Sequence, residues 1–125
     1  MLFRSAGQLE RLFSSARAHL PLETCVEYTV EAGRPDTITR EKLEVLRDQG
    51  VERISINPQT LEDEVLAAIG RKHSAQDILD AYALAREVGF DSINMDLIAG
   101  LPRDSFEGFR RSLEEIGRAS CRERV

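Results

Sequence analysis

Leu46-Arg47-Asp48-Gln49-Gly50-Val51-Glu52-Arg53-Ile54-Ser55-Ile56-Asn57 and, 39 residues further on, Ala85-Arg86-Glu87-Val88-Gly89-Phe90-Asp91-Ser92-Ile93-Asn94-Met95-Asp96 follow one pattern. Each runs from a helix end to a glycine, an apolar residue and an acid. An alternating apolar stretch that finishes on a polar residue completes it. Glycine suits the position just past a helix because the chain there takes positive φ, which a Cβ opposes. The alternation that follows is the two-residue period of a strand. Helix, turn and strand repeated in succession predict parallel strands joined by right-handed crossovers.

Working outward, Leu9, Leu12, Phe13 and Ala16 predict an amphipathic helix over about residues 7–19, ended by Pro21. Cys25-Val26-Glu27-Tyr28-Thr29-Val30 alternates and predicts a first strand near residues 24–31, with Cys25 in the core. Thr39 caps a helix that packs through Leu43, Val45 and Leu46, and the second strand follows at about 52–57. A short helix over Leu61 to Ile69 stops at Gly70. Ser74 with Asp77 makes a capping-box start for a long helix that packs through Ile78, Leu79, Tyr82, Ala85 and Val88. The third strand spans about 92–98, Gly100-Leu101-Pro102 turns the chain, and a last helix runs from Phe106 to about Glu114. The expected fold is α/β: about three parallel strands with flanking helices, part of a (β/α) barrel. A doubly wound sheet is the competing architecture. An open three-stranded parallel sheet has two bare edges, and nothing in these residues closes them, so the domain reads as partial.

The composition limits the function. Of 125 residues, 42% are apolar and 31% charged, enough for a packed core in a soluble domain. A net charge of −5 argues against a nucleic-acid surface, which needs clustered Lys and Arg. No apolar run approaches a membrane span, and no signal-peptide pattern is present. Two cysteines far apart, Cys25 and Cys121, fit a reducing cytoplasm and supply neither a disulfide framework nor a zinc site. Residues 1–114 read as one partial domain. Residues 115–125, Glu115-Ile116-Gly117-Arg118-Ala119-Ser120-Cys121-Arg122-Glu123-Arg124-Val125, read as the translation of a sequencing-adapter end, and Ile116 to Val125 are expected to pack poorly.

In a barrel of parallel strands, ligands meet the C-terminal strand ends. Four polar residues fall there or in the following loops: Glu31, Gln59, Arg71 and Asp96. Asp96 lies in Ile93-Asn94-Met95-Asp96-Leu97-Ile98, where an unpaired buried acid would be unfavourable. A ligand amine or ribose hydroxyls would satisfy it, and so would a neighbouring loop. Arg71 could pair a ligand carboxylate or stand solvated in its loop. The Gln59 amide both donates and accepts. His73 has no second ligand at metal-binding spacing.

Four segments occur in order: Val30-Glu31-Ala32-Gly33-Arg34-Pro35-Asp36, Arg53-Ile54-Ser55-Ile56-Asn57-Pro58-Gln59-Thr60, Ile69-Gly70-Arg71, and Asn94-Met95-Asp96-Leu97-Ile98-Ala99-Gly100-Leu101-Pro102. Together they resemble the radical S-adenosylmethionine (SAM) core of oxygen-independent coproporphyrinogen III oxidases, over about residues 7–114. Ala32-Gly33-Arg34-Pro35-Asp36 with Asn57-Pro58-Gln59 is most similar to the coproporphyrinogen dehydrogenase branch of HemZ type. The resemblance implies that Glu31 holds the SAM bound at a 4Fe-4S cluster, and that Gln59, Arg71 and Asp96 surround a second SAM. It implies a porphyrinogen substrate whose propionates are oxidatively decarboxylated in haem biosynthesis. The family's cluster is held by a Cys-x-x-x-Cys-x-x-Cys loop. These 125 residues contain no such spacing, so the chain by itself is expected to bind no cluster and to be inactive. A related haem chaperone without oxidase activity is the rival reading, although its usual Glu-Ala-Asn-Pro form is not found at Glu31. A phosphate-binding barrel enzyme is a third, and no Gly-rich phosphate loop supports it.

Overall fold

The computed structural model describes residue 2 and residues 4–121. Its elements run α1 (Ala6–His19), β1 (Thr29–Gly33), α2 (Arg40–Asp48), β2 (Arg53–Gln59), α3 (Asp63–Ala68), α4 (Ala75–Val88), β3 (Ser92–Leu97) and α5 (Phe106–Cys121). Short 3-10 turns at Leu22–Thr24 and Pro35–Thr37 flank β1. The helix starts follow from side-chain caps that satisfy otherwise unpaired N–H groups. Ser5 and Gln8 form a reciprocal capping box at α1, as do Ser74 and Asp77 at α4, and Thr39 Oγ1 accepts from Lys42 N–H at α2.

The three strands are parallel and lie in chain order, β1-β2-β3. The internal repeat is also the sheet register. Arg53 pairs Ser92, Ile54 pairs Ile93, Ser55 pairs Asn94 and Ile56 pairs Met95, each 39 residues apart. The helix ends repeat as well. Val51 N–H donates to the Leu46 carbonyl and Phe90 N–H to that of Ala85, both at 3.0 Å. The glycines between them, Gly50 and Gly89, take φ of +86° and +111°.

All the helices lie over one face of the sheet. Val30 and Ala32 of β1 and Ile54 and Ile56 of β2 pack with Leu9 and Phe13 of α1, Leu43 and Leu46 of α2, and Ala81 and Ala85 of α4. Val51 and Phe90, the matching residues after the two glycines, close this core. A second cluster joins Leu61, Leu66 and Ile78, with Met95 and Ile116 against it. Among the described residues no helix is long and apolar enough to cross a membrane.

Three expectations change. The first strand begins at Thr29, and Cys25 is exposed, its thiol donating to the Glu27 carbonyl at 2.9 Å. Val26 is 97% exposed. Residues 25–27 have strand-like composition, but β2 begins only at Arg53, opposite Thr29, so the ladder reaches back no further than the Tyr28 carbonyl, which accepts from Glu52 and Arg53 N–H at 3.1 and 3.3 Å. On α1, Leu12 is about half exposed, because Leu9 and Phe13 already fill the stripe that faces the sheet. Finally, α5 runs past Glu114 to Cys121, with Arg118 pairing Glu114 and Glu115 one turn back and Ile116 half-buried on the second cluster. Residues 122–125 of the expected tail lie outside the described residues.

Candidate ligand-binding face of the sheet

Strand alternation sends every second side chain to the face opposite the helices. Thr29 and Glu31, Arg53, Ser55 and Asn57, and Ser92, Asn94 and Asp96 stand there, and none of the described helices covers them. In place of an apolar core they form a hydrogen-bond network. Thr29 Oγ1 donates to Glu27 Oε1 at 2.7 Å, Arg53 reaches Glu27 at 3.5 Å and Asn94 Oδ1 at 3.3 Å, and Asn94 Nδ2 donates to Asp96 Oδ1 at 2.9 Å. Asn57 Nδ2 donates to Glu31 Oε1 at 2.5 Å. The cation of this face, Arg53, sits at its N-terminal end. Among the described residues Glu31 and Asp96, nearer the C-terminal strand ends, hold amide donors but no cation. That end is therefore acidic and rich in acceptors.

The strand ends are shaped by Pro58. A proline cannot donate to a ladder, and in a central strand it is found at an irregularity. Pro58 is fully buried in the central strand, and both ladders shift beside it, between Glu31 and Gly33 on one side and between Ile56 and Gln59 on the other. Gln59 follows with φ +66°, unusual for a residue with a side chain, and its carbonyl accepts from Ile98 N–H at 3.0 Å. Such bulges re-aim side chains beside functional sites.

Of the four residues singled out in the sequence, Glu31 and Asp96 share the polar face on the two outer strands, and Gln59 ends the strand between them. Asp96 is exposed, not buried among apolar groups as its neighbours in sequence suggested. Alternation turns Ile93 and Met95 toward the helices and Asp96 toward the open side. Arg71 stands in the loop between α3 and α4, its N–H donating to the Leu66 carbonyl at 2.9 Å, and it makes no hydrogen bond to the other three. Its charge acts on the neighbouring His73, which Asp36 and Arg34 from the segment after β1 also influence. The Arg71 loop thus adjoins the C-terminal end of β1. Burial first, then Arg71, lowers the His73 pKa below its ordinary value. Arg53, Asn57 and Asn94 join these residues only in the structure, although the alternations Arg53-Ile54-Ser55-Ile56-Asn57 and Ser92-Ile93-Asn94-Met95-Asp96 already place them on the polar side.

Metal chemistry finds little support in these residues. Among the described residues no group of three His, Cys, Asp or Glu could hold an ion, and Cys25 lies before the N-terminal end of β1, away from the acidic strand ends. One donor-seeking atom does stand out: Asn57 Oδ1 is buried without a hydrogen-bond partner, beside the carboxylate that Asn57 holds.

Comparison with known proteins identifies the family of the chain. Residues 8–116 match the radical SAM superfamily. The chain is 47% identical over 112 residues to the oxygen-independent coproporphyrinogen-III oxidase-like protein HemZ of Bacillus subtilis, covering 89% of this chain and 22% of that protein. It is 38% identical over 110 residues to the heme chaperone HemW of the same organism, covering 87% of this chain and 29% of that protein. The coproporphyrinogen III oxidase HemN of Escherichia coli, described as a radical SAM enzyme, superposes with a TM-score of 0.81 at 29% identity. That match covers 94% of this chain and 27% of HemN. The chain thus spans about a quarter of the length of the relatives it matches.

Proposed function

We propose, from the premise that this chain belongs to the radical SAM superfamily, that it is the SAM-facing wall of a coproporphyrinogen oxidase-like enzyme of haem biosynthesis. The observation that carries the reading is the acidic end of a helix-free sheet face, where two carboxylates are each held by an amide and the amide on Glu31, that of Asn57, keeps a buried, unpartnered Oδ1. These residues fit SAM, whose ammonium and ribose hydroxyls are donors suited to carboxylate and carbonyl acceptors. Glu31, held by Asn57, binds one such donor group. Asp96, held by Asn94, and Gln59 bind others, and Arg71 pairs a carboxylate at the same end of the sheet; these three serve a second SAM. The chain's work is to orient these groups on a rigid strand platform and to keep their rotamers set by neighbouring amides.

The 4Fe-4S cluster does not fit this chain's own residues. Three thiolates are needed, and Cys25 and Cys121 are the two available. In the parent protein a cluster-bound SAM supplies radical chemistry, and the substrate is a porphyrinogen whose propionates lose CO₂. A second reading, a haem chaperone, is favoured by the 38% identity to HemW.

The test is anaerobic reconstitution of the parent-length protein with iron and sulfide. We expect 5′-deoxyadenosine together with CO₂ release from coproporphyrinogen III. Haem retention without decarboxylation would move the assignment to the chaperone. The 125-residue chain treated in the same way should hold no stoichiometric cluster.

A further inference from the structure

We infer that Asn57 is the positioning residue for Glu31, bracing its carboxylate across the β1–β2 ladder, and that its free carbonyl oxygen forms with Glu31 a two-acceptor clamp for one ammonium or hydroxyl group of the ligand. The inference rests on the SAM reading above for the ligand, but not for the brace.

Register alone does not produce this contact. The residue paired with Glu31 on β2 is Ser55, not Asn57. The contact is diagonal and coincides with the ladder irregularity between Glu31 and Gly33. The next residue, Pro58, holds Asn57 in extended backbone by its own ring sterics and breaks the ladder beside it. Asn57 therefore stands at a point where the sheet geometry is bent toward a side-chain contact. Its Nδ2 meets Glu31 Oε1 at 2.5 Å, the shortest side-chain bond on this face. A bond from an amide to a carboxylate is charge-assisted and fixes the acceptor's rotamer.

The other half of the amide is the informative one. Asn57 Oδ1 is buried and accepts nothing, and an unsatisfied buried acceptor is unfavourable unless some donor reaches it. Because Nδ2 is committed to Glu31, the amide cannot flip to relieve it. Asn57 Oδ1 and the remaining Glu31 oxygen are then acceptors on two directly hydrogen-bonded side chains, which suits a group bearing at least two hydrogens, such as an ammonium. Asn94 holds Asp96 by a similar amide bond at 2.9 Å, but its own Oδ1 already accepts from Arg53. Only the Asn57 pair has its acceptor left open.

Nuclear magnetic resonance on the 125-residue chain tests both halves. The Asn57 side-chain amide protons should be shifted downfield and slow to exchange, and Glu31→Ala should abolish both properties while Ser55→Ala leaves them. An Asn57 amide indifferent to Glu31→Ala would overturn the brace, whatever SAM does. Titration with SAM then reads the clamp. Shifts should appear at Glu31 and Asn57, and Asn57→Ala should weaken binding by about tenfold, as the loss of one charge-assisted bond implies. In a Glu31→Ala background the Asn57→Ala change should have much less effect, because the two act as a unit. Equal losses in both backgrounds would overturn the clamp. A wild-type chain that shows the Glu31–Asn57 coupling but no response to SAM would support the brace and count against the proposed function.

Discussion

The two faces of the same three strands obey opposite rules. On the helix side, Val30, Ala32, Ile54 and Ile56 are almost wholly buried. On the other side, Glu31 and Asp96, though in the same strands, are exposed and held by amides. A parallel sheet ordinarily buries both faces, since crossover helices cover it. Here one-sided helices and a polar second face are what a wall of a partial barrel looks like. The difference teaches where stability and function divide. The helix side holds the chain folded, and the polar side has spare bonding capacity.

The largest test of that division is Phe90→Ala. Phe90 is fully buried where the second repeat closes the core, and Arg47 lies over its ring at 5.7 Å. Removing it should destabilise the chain by about 3–5 kcal/mol in urea unfolding. A loss below about 1 kcal/mol would mean the helix side is not the stabilising one.

A smaller effect is expected at the helix ends that generate the repeat. Gly89→Ala forces a Cβ onto backbone at φ +111° and within 3.3 Å of the Arg47 guanidinium. It should cost about 1–2 kcal/mol, and Gly50→Ala, at φ +86°, about the same. A large inequality between the two would show that the repeat in sequence is not a repeat in energy.

Acid should weaken the chain through His73. Burial and Arg71 lower its pKa from the ordinary 6.5, so the folded chain takes up its proton at lower pH than the unfolded chain does. The stability contribution is thus fully present above about 6.5 and is lost as pH falls toward the folded value. His73→Gln should flatten the stability profile across that window, while an unchanged slope would remove His73 as its source.

The smallest effect is predicted on the polar side itself. Ser55→Ala, in the centre of that face, should change stability by less than about 0.5 kcal/mol. A loss beyond about 1 kcal/mol would mean that the face is structural and would blur the contrast with the helix side.

The sequence by itself determined the order and direction of the strands. Matching helix ends at Gly50 and Gly89 and matching alternation after them require parallel neighbours, and the 39-residue spacing became the β2–β3 register. It also drew attention to Glu31, Gln59 and Asp96, because polar residues at strand ends break an otherwise apolar pattern, whereas Arg71, in the loop between α3 and α4, stood out only through the family resemblance. It could not show where β1 begins, since that depends on where β2 offers a partner. Nor could it reveal that Asp96 faces an open surface or that Glu31 reaches Asn57. Those contacts are made between residues 26 apart across a ladder bent beside Pro58. Local pattern encodes which face a side chain takes. Only the assembled sheet decides what stands opposite it, because a diagonal contact depends on register, bulge and twist together.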